Sequence, residues 1–472
     1  MGNIIEVFFT SGIATVAVAG LWLLAIAFSS TVTSWLIVLF FLLNQGIMQY
    51  MEFPGLISRG MPEALVLALV VKAILPRLAT GKSVRLLGAV PVFGFIVCVG
   101  LSALTAGVAG VEALMFVRHS MVFYLLFLAA LNMDMTARNF RVIGGFLCLM
   151  ALMQLPIGLG KFLTFGFLEG GFIGTLPMNA GSLSTIMPLF VITFLVAGYC
   201  WLGKPYLLAL VPLFLLFGIL GEKRAVAFFF PIVLTGVFLT WLYDYSGRKR
   251  LLYRAGARRM ASLVAILALF SIAGLYLAIT SLYSLNREQE IGGSFDLIYA
   301  IQEMYDYSTG INLPGEQYTD RYNTGTEALT TGRISTTLFT FGDLYSGGAE
   351  TFSFGRGPGL LIESSFTSGT LYEQYLTIGI RAGTTGFVWM VQQVGFLGVL
   401  FYLLLHYVIV RELWKIYRRA PTRPSKAMGL ALVCALVVFA LDYFAYSGSW
   451  ITTGTVQPVW YFLAGRHISV YT

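Results

Sequence analysis

Glu222, Lys223 and Arg224 stand in a row inside GEKRAVAFFF (221–230), between two apolar runs, YLLALVPLFLLFGIL (206–220) and AVAFFFPIVLTGVFLTWLY (225–243). Arginine suits phosphate recognition: its planar guanidinium offers a fixed fork of donors and keeps its charge at any physiological pH. Two readings of the cluster stand side by side. A turn between apolar runs needs polar residues, and Lys and Arg side chains snorkel. An ionisable group near membrane depth is also a functional candidate by default, here a cation that holds an anion, with Lys223 assisting Arg224 and Glu222 pairing with either.

A second concentration of candidates is 282–385, whose 104 residues include twelve acidic and five basic ones. All five basic residues are arginine: Arg287, Arg321, Arg333, Arg356 and Arg381. Arg356 in GRGPG (355–359) either holds the turn or binds phosphate. Arg321, beside Asp320, reads as a surface or sugar-contacting residue, and Arg381 as facing headgroups or the chemistry. The carboxylates Asp343, Glu350, Glu363 and Glu373 suit general-base work on a hydroxyl, and their spacing does not choose among them. The many aromatic residues suit stacking on sugars or packing of the segment on itself. Of the histidines His119, His406 and His467, only His119, next to Arg118, falls where it reaches the same side.

These candidates need elements to hold them. The chain has 472 residues, 58% hydrophobic and 11% charged, against about 25% charged in soluble domains. Apolar runs recur from end to end. In lipid only helices and closed barrels satisfy the backbone, and the ~10-residue alternating segments of a barrel are absent. The expectation is an all-α polytopic membrane protein. Spans are read at 9–29, 33–50, 63–79, 86–108, 113–132, 140–159, 182–202, 206–221, 224–243, 260–281, 386–410, 427–446 and 450–466, on the basis of ~20 residues per span. That is thirteen, with twelve and fourteen as brackets. The organisation is then helices in 1–281, a large outer loop in 282–385, and further helices in 386–472.

Lys and Arg set the orientation. GRKRLLYRAGARR (247–259), RELWKIYRRAPTRPSK (411–426), LPRLATGKSVR (75–85) and TARNFR (136–141) all fall on one side, the cytoplasmic one. The N-terminus is then outside, the C-terminus inside, and GEKR and 282–385 extracytoplasmic. The N-terminal MGNIIEVFF lacks a basic run and is not read as a cleavable signal. The net charge of +8 belongs to these basic loops and does not indicate nucleic acid. Cys98, Cys148, Cys200 and Cys434 lie in apolar runs, so no disulfide framework is expected. No acidic metal-binding motif or phosphate-binding loop appears, and neither metal nor cofactor is expected. Lys72 and Asp442 lie inside apolar runs, where a charge needs a partner or an exit.

The order of short motifs resembles a known family. A Gly-rich outer loop carries GTLPMNAGS (174–182). GEKRAVAF follows, with its Arg just before a span, and then a basic cytoplasmic loop. The large outer loop holds Gly332-Arg333 and GRGPG, and the next span opens on QQVGFLG (392–398). Over roughly 160–405 this looks like the O-antigen polymerase and ligase superfamily of bacterial envelope proteins. The resemblance implies a GT-C-like membrane glycosyltransferase that needs no metal. Its donor is a glycan on undecaprenyl diphosphate, its acceptor a second glycan, and a chain-length regulator an accessory partner. It also implies that Arg224 and Arg333 neutralise the departing diphosphate, with Lys223, Arg356, Arg381, Arg321, Arg118 and His119 available to substrate.

One departure separates the two branches. Ligases of the superfamily carry a His shortly before the last motif, whereas RAGTTGFVWM (381–390) has none. That favours a polymerase over a ligase that passes glycan to lipid A core. A transporter is the rival of another class, but transporters show internal repeats and none is visible here. A glycosyltransferase acting on peptidoglycan precursor would be expected to use an outer-loop Asp, for which Asp296 and Asp343 are available.

Overall fold

The computed structural model describes residues 12–51, 53, 60–165, 174–176, 182–221, 223–246, 257–282, 285–288, 292–309, 333–359, 361–362 and 385–471. Among them the chain is helical throughout, with no strand. The helices are α1 Gly12–Phe28, α2 Thr31–Leu43, α3 Gln45–Tyr50, α4 Met61–Ala79, α5 Ala89–Ala106, α6 Gly110–Asn132 and α7 Ala137–Phe165. Then follow α8 Leu183–Leu202, α9 Pro205–Ala209, α10 Val211–Leu220, α11 Arg224–Ser246 and α12 Ala257–Ser281. The loop segment holds α13 Leu297–Thr309, α14 Arg333–Ser346 and α15 Gly348–Phe354. The C-terminal part holds α16 Gly386–Arg419, α17 Arg423–Ala440, α18 Ser449–Thr452 and α19 Val456–Tyr471.

Each of the thirteen apolar runs read from the sequence is mainly helical in its described residues, and those at 33–50, 206–221 and 450–466 are divided between two helices. Seven of the helices are long and apolar enough to cross a membrane: Ala89–Ala106, Gly110–Asn132, Ala137–Lys161, Leu183–Leu202, Arg224–Asp244, Gly386–Arg419 and Arg423–Ala445. The others fall short for visible reasons. The run 206–221 is split at Leu210 because Pro212 starts a new helix and cannot donate into the old one. The run 33–50 breaks at Asn44, whose side-chain amide bonds back to the Phe40 carbonyl at 2.9 Å. Helix α4 carries Glu63, Lys72 and Arg77 in 19 residues.

Helix α8 is the centre of the bundle: 78% of its apolar window is buried, against 17% for α7 at the periphery. It packs on α10, α11 and α17, while α16 joins α5 to α17 and α19 lies on α6. The heart of this packing is aromatic. Tyr402, Phe439, Trp460 and Tyr461 surround His406, whose ring stacks on Phe439 at 4.5 Å and whose Nδ1 lies 3.0 Å from the Tyr402 carbonyl, and Tyr443 and Trp450 pack on Phe439 in turn.

Intramembrane charges are spent on backbone and on each other. Lys72 donates to the carbonyls of Ile26 (2.6 Å) and Ser29 (2.5 Å) and to Ser34 Oγ, and so closes the C-terminal end of α1. Lys426 lies 3.6 Å from Asp244 and beneath the rings of Trp201 and Tyr417, almost wholly buried.

The described helices of the loop segment do not stand away from the bundle. Helix α13 packs on α14, α14 and α15 pack on α16, and α15 also reaches α5.

Candidate functional site

The connection between α10 and α11 is three residues long, and Arg224 is the first residue of α11. Its guanidinium donates to Glu303 of α13 at 3.0 Å, with both side chains largely covered (18% and 27% exposed). Sequence reasoning did not single out Glu303. The only signal for it is the amphipathic run LIYAIQEMYDY (297–307), whose apolar residues recur at helical spacing. Lys223 is half-buried in the same turn, with its carbonyl accepting from Val226 N at 3.2 Å. Glu222 lies outside the described residues.

Arg333 is the first residue of α14, and its guanidinium sits over the ring of Tyr446 at 4.9 Å. That is a cation–π arrangement. Tyr446 also meets Phe229 edge-on at 5.7 Å and accepts from Thr185 Oγ1 at 3.3 Å. Phe229 is little more than one turn beyond Arg224 on α11. The two arginines, 109 positions apart in sequence, therefore belong to one packing unit made by α8, α11, α13, α14 and the end of α17.

Arg333 stands at the edge of a cleft of about 360 Å³, walled by Ile334, Thr337, Leu338, Phe444 and Ala445. Its walls are apolar yet open: Leu338 is 67% exposed and Phe444 49%. The cleft thus joins a cationic head to an apolar flank, a combination that matches an amphipathic anion.

Asp442 holds the floor of this region. Residues Leu441–Ala445 form a π-helical turn, and buried Asp442 accepts from the Trp450 N–H at 2.5 Å and from Ser447 Oγ at 3.4 Å. Its own carbonyl accepts from the N–H groups of Tyr446 and Gly448. The acid fixes the 446–450 connection, and with it Tyr446 and Phe444. A π turn often marks a functional site.

The two short motifs at GRGPG and QQVGFLG are physical partners. Helix α16 is broken at Gly395, where φ is +64° and ψ −174°. The break leaves the carbonyls of Gln392 and Gln393 to be satisfied elsewhere. Arg356 N donates to the first at 2.7 Å and Ser102 Oγ to the second at 2.7 Å. Gln393 Oε1 takes the Gly359 N–H at 2.9 Å, and Gln392 Nε2 donates to Thr340 of α14 at 3.0 Å. Only glycine fits at the crossing: a Cβ on Gly395 would lie 2.2 Å from the Ser353 carbonyl oxygen. Broken backbone at membrane depth is tolerated where protein covers it.

The other expected site residues divide. Arg356 forms a two-bond pair with Asp343 (2.7 and 2.5 Å), which ties the GRGPG turn to α14. The same pair occupies Asp343, and Asp296 accepts from Tyr299 N at 3.0 Å as the cap of α13. Both acids thus have structural work. Arg118 pairs with Glu63 of α4, and His119 faces the Trp389 ring at 5.6 Å. They belong to the packing of α4, α6 and α16, not to the unit that holds Arg224 and Arg333. Arg321, Arg381, Glu363 and Glu373 lie outside the described residues, as do Gly332 and positions 177–181 of the Gly-rich loop. Among the described residues, no group of three or more His, Cys, Asp or Glu is placed to hold a metal ion.

Fold and site together define an all-helical, multi-pass membrane protein with a cationic cleft where its loop helices meet the bundle. No protein-family model matches the sequence, and none of the curated proteins matches it.

Proposed function

We propose that the protein is a GT-C-like membrane glycosyltransferase of about thirteen spans. It polymerises undecaprenyl-diphosphate-linked repeat units of an O-antigen or exopolysaccharide on the outer side of a bacterial inner membrane. The observation that carries this reading is the cleft at Arg333: a guanidinium beside exposed apolar walls suits a lipid diphosphate better than a free sugar or a soluble anion.

In this mechanism the acceptor hydroxyl attacks the anomeric carbon of the donor glycan. The glycosidic bond forms, the bond to the lipid diphosphate breaks, and the hydroxyl proton passes to a base. Arg333 and Arg224 stabilise the negative charge that gathers on the departing diphosphate. Both stand at helix N-termini, where the peptide dipoles add to the attraction for an anion. Glu303 holds Arg224 in place until the diphosphate displaces it. The freed carboxylate can then take up the acceptor proton.

The test uses the purified full chain with lipid-linked repeat units. Wild type yields a ladder of products, and Arg224→Ala and Arg333→Ala, each checked for unchanged melting temperature, do not. Ladders that persist in both variants overturn the mechanism. Unmodified substrate crossing a proteoliposome membrane would make the protein a transporter instead, and transfer to lipid A core without a ladder would make it a ligase.

A further inference from the structure

A second cavity lies at the opposite end of the bundle, where α4, α6 and α19 end and α5 and α7 begin. It measures about 270 Å³ and is lined by Arg77, Arg85, Arg466, Asp134, Thr136 and Ser469 among others. We propose that this cavity is a binding site for a phosphate group, carried by the headgroup of an anionic phospholipid or by free phosphate.

The site is built around buried Asn132, the last residue of α6. Its Nδ2 donates to the Arg85 carbonyl at 2.9 Å and its Oδ1 accepts from Arg85 N at 2.8 Å, so the segment before α5 is clamped to α6. The Asn132 carbonyl takes Nε of Arg77, and Arg77 also reaches Ser83 O (3.3 Å) and Asp134 (3.1 Å). Arg466 of α19 donates to the Met135 carbonyl at 2.5 Å and to Ser469 Oγ at 2.8 Å. Thr136 caps α7 by accepting from Asn139 N at 3.2 Å, which sets the N-terminal end of α7 beside the cavity.

Two observations point to an anion. The lining holds three arginines and one carboxylate, and that carboxylate, Asp134, is 80% exposed and faces mostly solvent. Arg466 Nε is buried with no hydrogen-bond partner, a costly state for a charged donor unless an acceptor joins the cluster. A surplus of positive charge in a cavity at the end of membrane helices suits a phosphate, by the same chemistry as known basic headgroup pockets. This proposal does not rest on the glycosyltransferase reading, because its residues belong to the other end of the molecule.

The experiment is lipid retention by native mass spectrometry on the full chain in a neutral detergent, with phosphatidylglycerol, phosphatidylcholine and inorganic phosphate as probes. Wild type should retain phosphatidylglycerol at least tenfold better than phosphatidylcholine. Arg85→Gln/Arg466→Gln should lose that preference. Inorganic phosphate that competes at millimolar concentration assigns the site to phosphate itself; failure to compete assigns it to the lipid. Because the double variant risks misfolding, Asp134→Asn provides an independent arm: removing the lone carboxylate should raise retention of the anionic lipid, which a folding defect does not imitate. Equal retention of the two lipids by wild type, or no change in Asp134→Asn, overturns the proposal.

Discussion

Arginine serves two ends of this molecule in different ways. At the end that carries Arg224 and Arg333, the guanidinium groups meet a carboxylate and an aromatic ring and border an apolar-walled cleft. At the other end, Arg77 and Arg466 are spent on backbone carbonyls, and Arg85 is clamped through its own backbone by Asn132. Carbonyl partners cannot leave, so Arg77 and Arg466 fix helix ends with part of each guanidinium fork, and only their remaining donors can meet an anion. A carboxylate on a neighbouring helix can be exchanged for another anion. The difference teaches that residue type alone does not assign a role; what an arginine must give up to bind something else does.

Several changes break or sharpen that contrast. The largest effect is expected from Arg333→Ala, a loss of about 10²–10³-fold in polymerisation rate, in line with removal of one stabiliser of a developing anion. Product ladders in a single-turnover assay measure it, and a loss under tenfold would take Arg333 out of the chemistry. At the opposite end, Lys426→Met should destabilise by about 3–5 kcal/mol because it removes the buried cation beside Asp244. The double variant Lys426→Met/Asp244→Leu should recover most of that loss, as read by thermal unfolding in detergent. A double variant no better than the single would show that the pair is not what matters there.

Gly395→Ala should cost about 1–3 kcal/mol through its left-handed backbone and its crossing with Ser353. It should also loosen the GRGPG turn, detected as faster proteolysis of 333–359. Protection equal to wild type would mean that the break in α16 adapts. The smallest effect belongs to Glu303→Gln. Its pair with Arg224, largely covered but still in reach of solvent, is worth about 1 kcal/mol to stability, so melting should scarcely move while the polymerisation rate falls. A large stability loss with unchanged rate would make Glu303 a structural partner only.

Much of the fold was legible because its signal is local. Apolar run length alone marks a helix in lipid, and each of the thirteen runs is mainly helical where it is described. Break points were less legible. Pro212 ends a turn by chemistry that the sequence prints, but Asn44 and Gly395 act through groups far away in the chain. Of the candidate site, Arg224 was readable as the cation that opens an apolar run, and Arg333 only through the order of motifs that resembles a known family. Glu303 and Tyr446 were not, since nothing in LIYAIQEMYDY or FAYSGSW says which arginine each will face.

The sequence by itself determined a helical membrane protein rich in apolar runs, with charge confined to few positions. Those properties follow from hydropathy and from charge, which each residue carries alone. Tertiary structure decided which guanidinium borders the cleft, which one staples a turn to Asp343, and which ones fix helix ends. It did so because a partner's identity depends on through-space packing of α8, α11, α14 and α17, and on where a broken helix leaves carbonyls to be filled.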